Sequence, residues 1–267
     1  ADIVFNFDEG DKVRVEQITF EGNNHFSPGD LKDEIDTSEK GFFSFFTSSG
    51  DLNEIEVKND VIRIESLYKN NGFIDAKVSD PIIDIGKESI TIHFKINEGA
   101  QYKVKSIDIT GDLLKTREAY KALIESKEGE LYNREQVRKD IIAITDTYLD
   151  TGYANAMVSP VVDKDSDAKM MAIVYTVKKG DPVYFDRVRI SGNYKTRDKV
   201  IRRELKVEEG SLFSKKNIQL SNKNIGRLNY FATYDVQPAP TEQKNVMDLE
   251  VTVEEKETGA FSFGGGY

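Results

Sequence analysis

The sequence predicts an α+β protein made of three tandem β-α-α-β-β repeats, each a three-stranded sheet with two helices on one face. A strand template that occurs three times carries this reading. Gly10 is followed by Val13, Val15, Ile18, Phe20 and Gly22, Gly99 by Tyr102, Val104, Ile107, Ile109 and Gly111, and Gly180 by Val183, Phe185, Val188, Ile190 and Gly192. A helical period is the second observation: Val57, Val61, Ile64 and Tyr68 return as Val137, Ile141, Ile144 and Tyr148, on one helix face each time. The closing glycines recur at about 80 to 90 residues, so 267 residues divide into three modest cores.

Taken in order, Ile3, Phe5 and Asp8-Glu9-Gly10 match the ends of the later repeats, Phe94 to Gly99 and Tyr175 to Gly180. They read as a strand remnant of a preceding repeat. Within each template the alternation slips once, between Val15 and Ile18, Val104 and Ile107, and Phe185 and Val188. A slip turns every later side chain to the other face, so one shared by three copies reads as a built-in bulge. The apolar pair before it is placed to face a neighbouring repeat. Gly22, Gly111 and Gly192, followed by Asn23, Asp112 and Asn193, end the strand in a turn.

The first helix of each repeat opens at Ser27-Pro28, Thr116 or Thr196, residues whose oxygen can accept an orphan backbone N–H. Leu31 and Ile35, then Ala119, Leu123 and Ile124, then Val200, Ile201 and Leu205 follow as its apolar positions. The second and third links between helices match, as Glu128-Gly129 and Glu209-Gly210, but the first carries Phe42, Phe43, Phe45 and Phe46. Those rings either cap a small core and pack on a neighbour or offer an apolar patch to an unfolded client. The second helices end at Gly72 and Gly152, which supply a left-handed residue, with Asn229 in that role in the third copy. Two strands close each repeat, over residues 74–85 and 89–96, 154–162 and 170–177, and 232–236 and 246–253. Such sheets keep exposed edges, and an exposed edge is a template for strand addition. Ala76, Lys77, Val78, Ser79, Ile82, Ile83 and Ile85 form the edge expected to accept a client strand.

A net charge of −10 argues against nucleic-acid binding, which needs a basic footprint. No apolar run reaches the roughly 20 residues of a membrane-spanning helix. There is no cysteine, and His25 and His93 lie apart, so no zinc set is formed. Asp163, Asp165 and Asp167 imitate the start of a calcium loop, but Ala168 and Val174 replace the glycine and glutamate that loop needs, so a polar hairpin turn is expected. No phosphate loop, dinucleotide fingerprint or nucleophile elbow is present. The sequence therefore predicts no catalytic residue, no metal site, no cofactor and no enzyme activity. The start of the chain carries no signal-peptide pattern. Its end, Thr258-Gly259-Ala260-Phe261-Ser262-Phe263-Gly264-Gly265-Gly266-Tyr267, alternates aromatic and small residues as a first membrane barrel strand does.

With the strand–Gly–Asn turns, the Tyr148-Leu-Asp-Thr-Gly-Tyr153 helix end and the closing Val253 to Tyr267 run laid out, the chain resembles consecutive POTRA domains of the BamA family of outer-membrane protein assembly factors. The aromatic insertion is similar to that of the family's third domain. The resemblance implies domains three to five: 1–10 a remnant, 11–99, 100–180 and 181–259 the three repeats, and 260–267 the start of the barrel. It implies a periplasmic scaffold attached to the outer membrane of a Gram-negative bacterium through a barrel outside this sequence. That scaffold receives unfolded outer-membrane proteins by strand addition and docks accessory lipoproteins such as BamD. The family's lipoprotein-binding positions fall on Arg189, Asp198, Arg202 and Glu209, with the arginines near solvent and free to pair; an ordinary solvated surface is the plainer reading of these charges. The sequence departs from the family at residues 206–208. The alternatives are a related barrel-linked secretion transporter and a structural envelope array without client binding.

Overall fold

The computed structural model describes residues 14–40, 52–86 and 89–256. The 1–10 remnant, Phe42, Phe43, Phe45 and Phe46, and the expected barrel start at 260–267 lie outside the described residues. The elements run β1 (Arg14–Glu21), α1 (Pro28–Glu34), α2 (Glu54–Asn70), β2 (Lys77–Val78), β3 (Ile82–Ile85), β4 (Ser89–Asn97), β5 (Lys103–Gly111), α3 (Arg117–Lys121), α4 (Arg134–Leu149), β6 (Met157–Asp165), β7 (Met170–Lys178), β8 (Tyr184–Ser191), α5 (Asp198–Arg202), α6 (Lys215–Arg227), β9 (Phe231–Pro240) and β10 (Val246–Glu255). They build three sheets: β1-β4-β2 with β3 also on β4, β5-β7-β6, and β8-β10-β9. The last strand of each repeat is central, parallel to the first strand in β4 with β1 and in β10 with β8.

The chain falls into two compact units. One holds the chain through Ile107 with Glu125–Arg138 and Val162–Ile173; the other holds Asp108–Ile124, Lys139–Val161 and the chain from Val174. In the first unit the apolar stripes of α1 and α2, with Leu31, Ile64 and Tyr68, close on Val15, Ile18, Ile92 and Phe94 of the sheet. In the second, Ile201, Ile218 and Ile225 close on Phe185, Leu249 and Val251, with Leu149 and Ala154 packed alongside. Val183 and Phe185, the pair before the slip, thus meet the end of the preceding repeat.

The expected slips are real in both sheets whose pairing is resolved strand by strand. The register shifts between Val15 and Gln17 against β4, and between Met247 and Leu249 against β8. The first strand of each sheet lies at its edge, so the outward backbone N–H groups past the slip have no ladder partner. Each repeat answers with a glutamate. Ile18 N–H donates to Glu39 at 2.7 Å, Ile107 N–H to Glu128 at 3.0 Å and Val188 N–H to Glu209 at 2.9 Å. Burial works to raise the Glu39 carboxyl, but the bonds from Lys32 and Ile18 outweigh it and hold that group below its ordinary value.

The closing glycines are required by close backbone approach. Gly22, Gly111 and Gly192 have φ of +87°, +96° and +84°, and a Cβ would stand 2.1, 2.1 and 1.8 Å from the carbonyl oxygens of Ile96, Val177 and Val253. At the second helix ends, Gly72, Gly152 and Asn229 take positive φ as expected. The same two glycines meet the next repeat: Tyr102 N–H donates to Gly72 O at 2.9 Å and Val183 N–H to Gly152 O at 2.8 Å. Asn70 Oδ1 accepts from Glu135 N–H and Asp150 Oδ1 from Lys216 N–H, capping the first turn of α4 and α6 in the same way.

Three expectations change. In the second repeat α3 ends before Leu123 and Ile124, and its buried residue is Tyr120. The second strand of the first repeat is not continuous over 74–85. It breaks into β2 and β3 around Pro81, where the register against β4 shifts by one residue between the Val78–Ile96 and Ile82–His93 pairs, so the first sheet counts four strands. Thr196 is not an N-cap: α5 starts one residue later behind Arg197, whose side chain makes no capping bond, and Thr196 N–H is held by Glu255. Ser27 and Thr116 do cap their helices. Asp163 and Asp165 belong to the end of β6 and Asp167 to the turn into β7, where Ala168 N–H donates to Asp165.

Gly192→Ala should destabilise the chain by roughly 3 kcal/mol or more, since added to backbone strain is a clash with a carbonyl that cannot move aside. Gly210, at φ +82° with open space around its Cβ position, is the control. Its alanine variant should cost only about 1–2 kcal/mol of left-handed strain. Urea unfolding of both variants measures the difference. Because the Glu39 carboxyl is lowered on folding, its contribution is complete above the ordinary value of 4.5 and is lost as pH falls through the lowered one. Glu39→Gln should therefore lose stability at neutral pH and show a shallower decline in the urea midpoint below pH 4.5.

Candidate functional site

Two surfaces carry the expected binding residues, and the charged one is built around Val188 on β8. Glu209, in the turn after α5, accepts the Val188 N–H. Arg202, in the last turn of α5, donates through Nη2 to Val188 O at 2.9 Å and through Nε to Asp198 Oδ1 at 2.8 Å, and its Nη1 stands 3.6 Å from Glu209. The structure thus brings Asp198, Arg202 and Glu209 into one network that holds both backbone groups of a single residue. The arginine is engaged, contrary to the expectation of a guanidinium free to pair. Its helix position four residues after Asp198 and seven before Glu209 puts it between two carboxylates.

Arg189, the next residue along the strand, belongs to a separate pair. Its Nε and Nη2 reach Asp248 Oδ2 at 2.8 and 2.7 Å, while Asp248 Oδ1 accepts Arg187 N–H at 3.1 Å. Asp248 is 5% exposed and stands on β10 opposite the bulge of β8. Sequence reasoning did not find it. The bland reading gains weight for Glu209, whose counterparts Glu39 and Glu128 make the same backbone bond in the other repeats. The Lys32 ammonium on Glu39, at 2.6 Å, likewise parallels Arg202 on Glu209. The signal was present in the sequence, since each glutamate follows the strand residue it holds by 21 positions.

The second surface is the outer edge of the first sheet. β2 and β3 both pair antiparallel with β4, and among the described residues no strand pairs with their outer side. The seven expected residues are not equivalent. Ala76 is buried and its N–H donates to Phe73 O, Val78 is nearly buried, and Ser79 N–H turns inward to Lys95 O. Lys77, Ile82 and Ile85 are exposed, the two isoleucines at 57% and 69%, and Ile83 is half-buried against the core. Glu65 of α2 reaches across to accept the Val78 N–H at 3.2 Å and pairs with Lys69 at 2.5 Å. Burial works to raise the Glu65 carboxyl, and the bonds from Lys69 and Val78 with the charges of Lys69 and Lys77 bring it below its ordinary value. Among the described residues no His, Asp or Glu cluster could hold a metal ion, and no helix is long and apolar enough to cross a membrane.

Arg202→Glu should lower stability by about 1–2 kcal/mol, because it removes the bond to Val188 O and sets three carboxylates together, with solvent screening moderating the repulsion. Lys199→Glu on the same helix should change it by less than about 0.5 kcal/mol. Thermal melts of the two variants distinguish a structural guanidinium from a solvated one.

Comparison with known proteins places this geometry. The profile of the POTRA family, described as surface antigen variable number repeat, matches residues 13–99, 102–180 and 183–256. The chain is 32% identical over its whole length to a protein named outer membrane protein assembly factor BamA from Nitratidesulfovibrio vulgaris, and 30% identical to the protein of that name from Neisseria meningitidis serogroup B. It spans 34% of the length of each. The crystal structure of Haemophilus influenzae BamA POTRA3-5 superposes with a TM-score of 0.75 at 22% identity, covering 91% of this chain and 96% of that one. Three successive matches, each to one sheet and its helices, show that the chain belongs to the POTRA family.

Proposed function

We propose that this chain is the periplasmic scaffold of an outer-membrane protein assembly factor. It holds unfolded β-barrel clients by strand addition along the β2 and β3 edge and docks an accessory lipoprotein on the third repeat, without catalysing a reaction. The observation that carries the reading is similarity over the whole chain to proteins named as outer membrane protein assembly factors. The α+β repeats supply what such a scaffold needs physically. A sheet edge recognises an extended chain through its backbone, so it accepts many client sequences, and the exposed Ile82 and Ile85 give an apolar margin beside it. A net charge of −10 leaves nucleic acid a poor partner.

On this reading the repeats occupy 11–99, 100–180 and 181–259, in the order of third, fourth and fifth domains, and residues 260–267 begin the barrel that fixes the scaffold to the outer membrane. The lipoprotein, of the BamD kind, meets the exposed sides of Arg189, Asp198, Arg202 and Glu209. These charges are already paired within the chain, so the partner contacts their remaining donors and acceptors.

Photo-crosslinkers at Ile82 or Ile85, in cells making the intact protein, should trap newly synthesised outer-membrane proteins well above crosslinkers at Lys199 or Lys223. Equal labelling at both sets would remove client capture from this edge. Arg189→Glu should weaken lipoprotein binding by roughly tenfold or more if its exposed face is part of a desolvated interface. Unchanged binding in a folded variant would move the docking surface elsewhere.

A further inference from the structure

In an antiparallel pair, alternate residues point their N–H and C=O to the partner strand and the others point them outward. The register of the first sheet therefore fixes which groups an added strand could use. Gly86 N–H donates to Ser89 O, and Asp84 and Ile82 stand opposite Thr91 and His93 in phase with that bond. Ile83 and Ile85 are consequently the outward residues of β3, and Pro81 shares their phase without an N–H to offer. On β2, Ser79 N–H donates inward to Lys95 O, which turns Ala76, Val78 and Asp80 outward. The N–H groups of Ala76 and Val78 are already occupied, by Phe73 O and by the Glu65 carboxylate, so Asp80 is left as a single donor between the blocked Val78 and Pro81.

We propose that Glu65 and Pro81 gate this edge, so that a client strand adds only to the Ile83 and Ile85 stretch. The proposal rests on the strand-addition reading above and makes it local. Val78 can take part only when the Glu65 carboxylate leaves its N–H, and that carboxylate is held in place by Lys69 at 2.5 Å. Two outward residues offer about four backbone bonds, which suits a hold that must be released.

The third sheet has the same arrangement by other means. Pro238 and Pro240 of β9 stand opposite Leu249 and Met247. A proline inside a paired strand lies where its missing N–H faces away. Tyr234 and Val236, opposite Val253 and Val251, share that phase and are the outward donors. One half of this edge can exchange both kinds of backbone bond with an added strand, and the other half can only accept.

Amide hydrogen exchange of the 267-residue chain, with and without a short peptide of alternating valine and lysine, tests the gate. In the wild-type chain the peptide should slow exchange at Ile83 and Ile85 and leave Val78 unchanged. In Glu65→Ala, Val78 should exchange rapidly alone, become protected with peptide, and bind the peptide roughly fivefold tighter, the effect of one added backbone bond. Glu65→Gln, whose amide oxygen can still accept, should behave as wild type. Pro81→Ala, which does not touch α2, should extend protection to the new amide at position 81. A wild-type footprint that already includes Val78, or variants that leave footprint and affinity unchanged while Ile83 and Ile85 are protected, would overturn the gate and keep strand addition. No protection at any of these amides in any variant would overturn both.

Discussion

The first strand of each repeat lies at a sheet edge, so its outward backbone N–H groups have no ladder partner, and leaving such a group unpaired at the rim of a core costs about 1–3 kcal/mol. In this chain that group belongs to Ile18, Ile107 and Val188, and a glutamate 21 residues further on accepts it each time. The bond does more than satisfy a donor. The first helix lies between the two residues, so the glutamate draws the helix end back to the first strand. The bulge turns Val15 and Ile18, or Phe185 and Val188, to the same core although they are three residues apart. Without it the alternation after the slip would point away from the helices.

The ends of each repeat follow from that placement. The first strand runs parallel to the last one, so the closing glycine arrives against the carbonyl of Ile96 or Val253, where no Cβ fits. Glu98 and Glu255 then accept N–H groups of the turn that follows, from His25 and from Lys195 and Thr196. At the far end of α2 and α4 the left-handed glycine exposes its carbonyl to the next strand, and Tyr102 and Val183 use it. The turn that ends a helix is therefore also the seat of the following repeat, and this double duty accounts for the near absence of linker residues.

Side-chain periodicity made the helices, the bulges and the repeat legible in the sequence, because burial reads side chains. The break at Pro81 was less visible, since the isoleucines around it keep the composition of one strand. The third repeat's second helix reads as polar because Asn222 and Asn229 stand where α2 has Val61 and Tyr68, while Ser221 holds the buried place that Asp60 has in α2. Its hydroxyl accepts Lys206 N–H at 2.7 Å, as Asp60 accepts Asp36 and Thr37 N–H. The charged surface was legible as residues and not as bonds. Arg189, Asp198, Arg202 and Glu209 lie close together, but which carboxylate each arginine meets depends on the strand register and on Asp248, a residue that nothing in its neighbourhood singled out.

This limit has a physical origin that bears on function. A charge that holds the fold together offers a partner only the donors and acceptors left over. Arg202 has already committed Nε to Asp198 and Nη2 to Val188 O, and Asp248 is nearly enclosed behind Arg189. On the proposed reading, a protein docking on this face would meet an array already paired within the chain, so little rotamer freedom would be lost on binding. The sheet edge works on the opposite basis. Its groups belong to the backbone and carry no sequence information, so selectivity must come from which N–H groups remain to be used. In the proposed gate, Glu65, Pro81, Pro238 and Pro240 set that number by removing donors, which would keep an edge open to extended chains without making it a template for unlimited pairing.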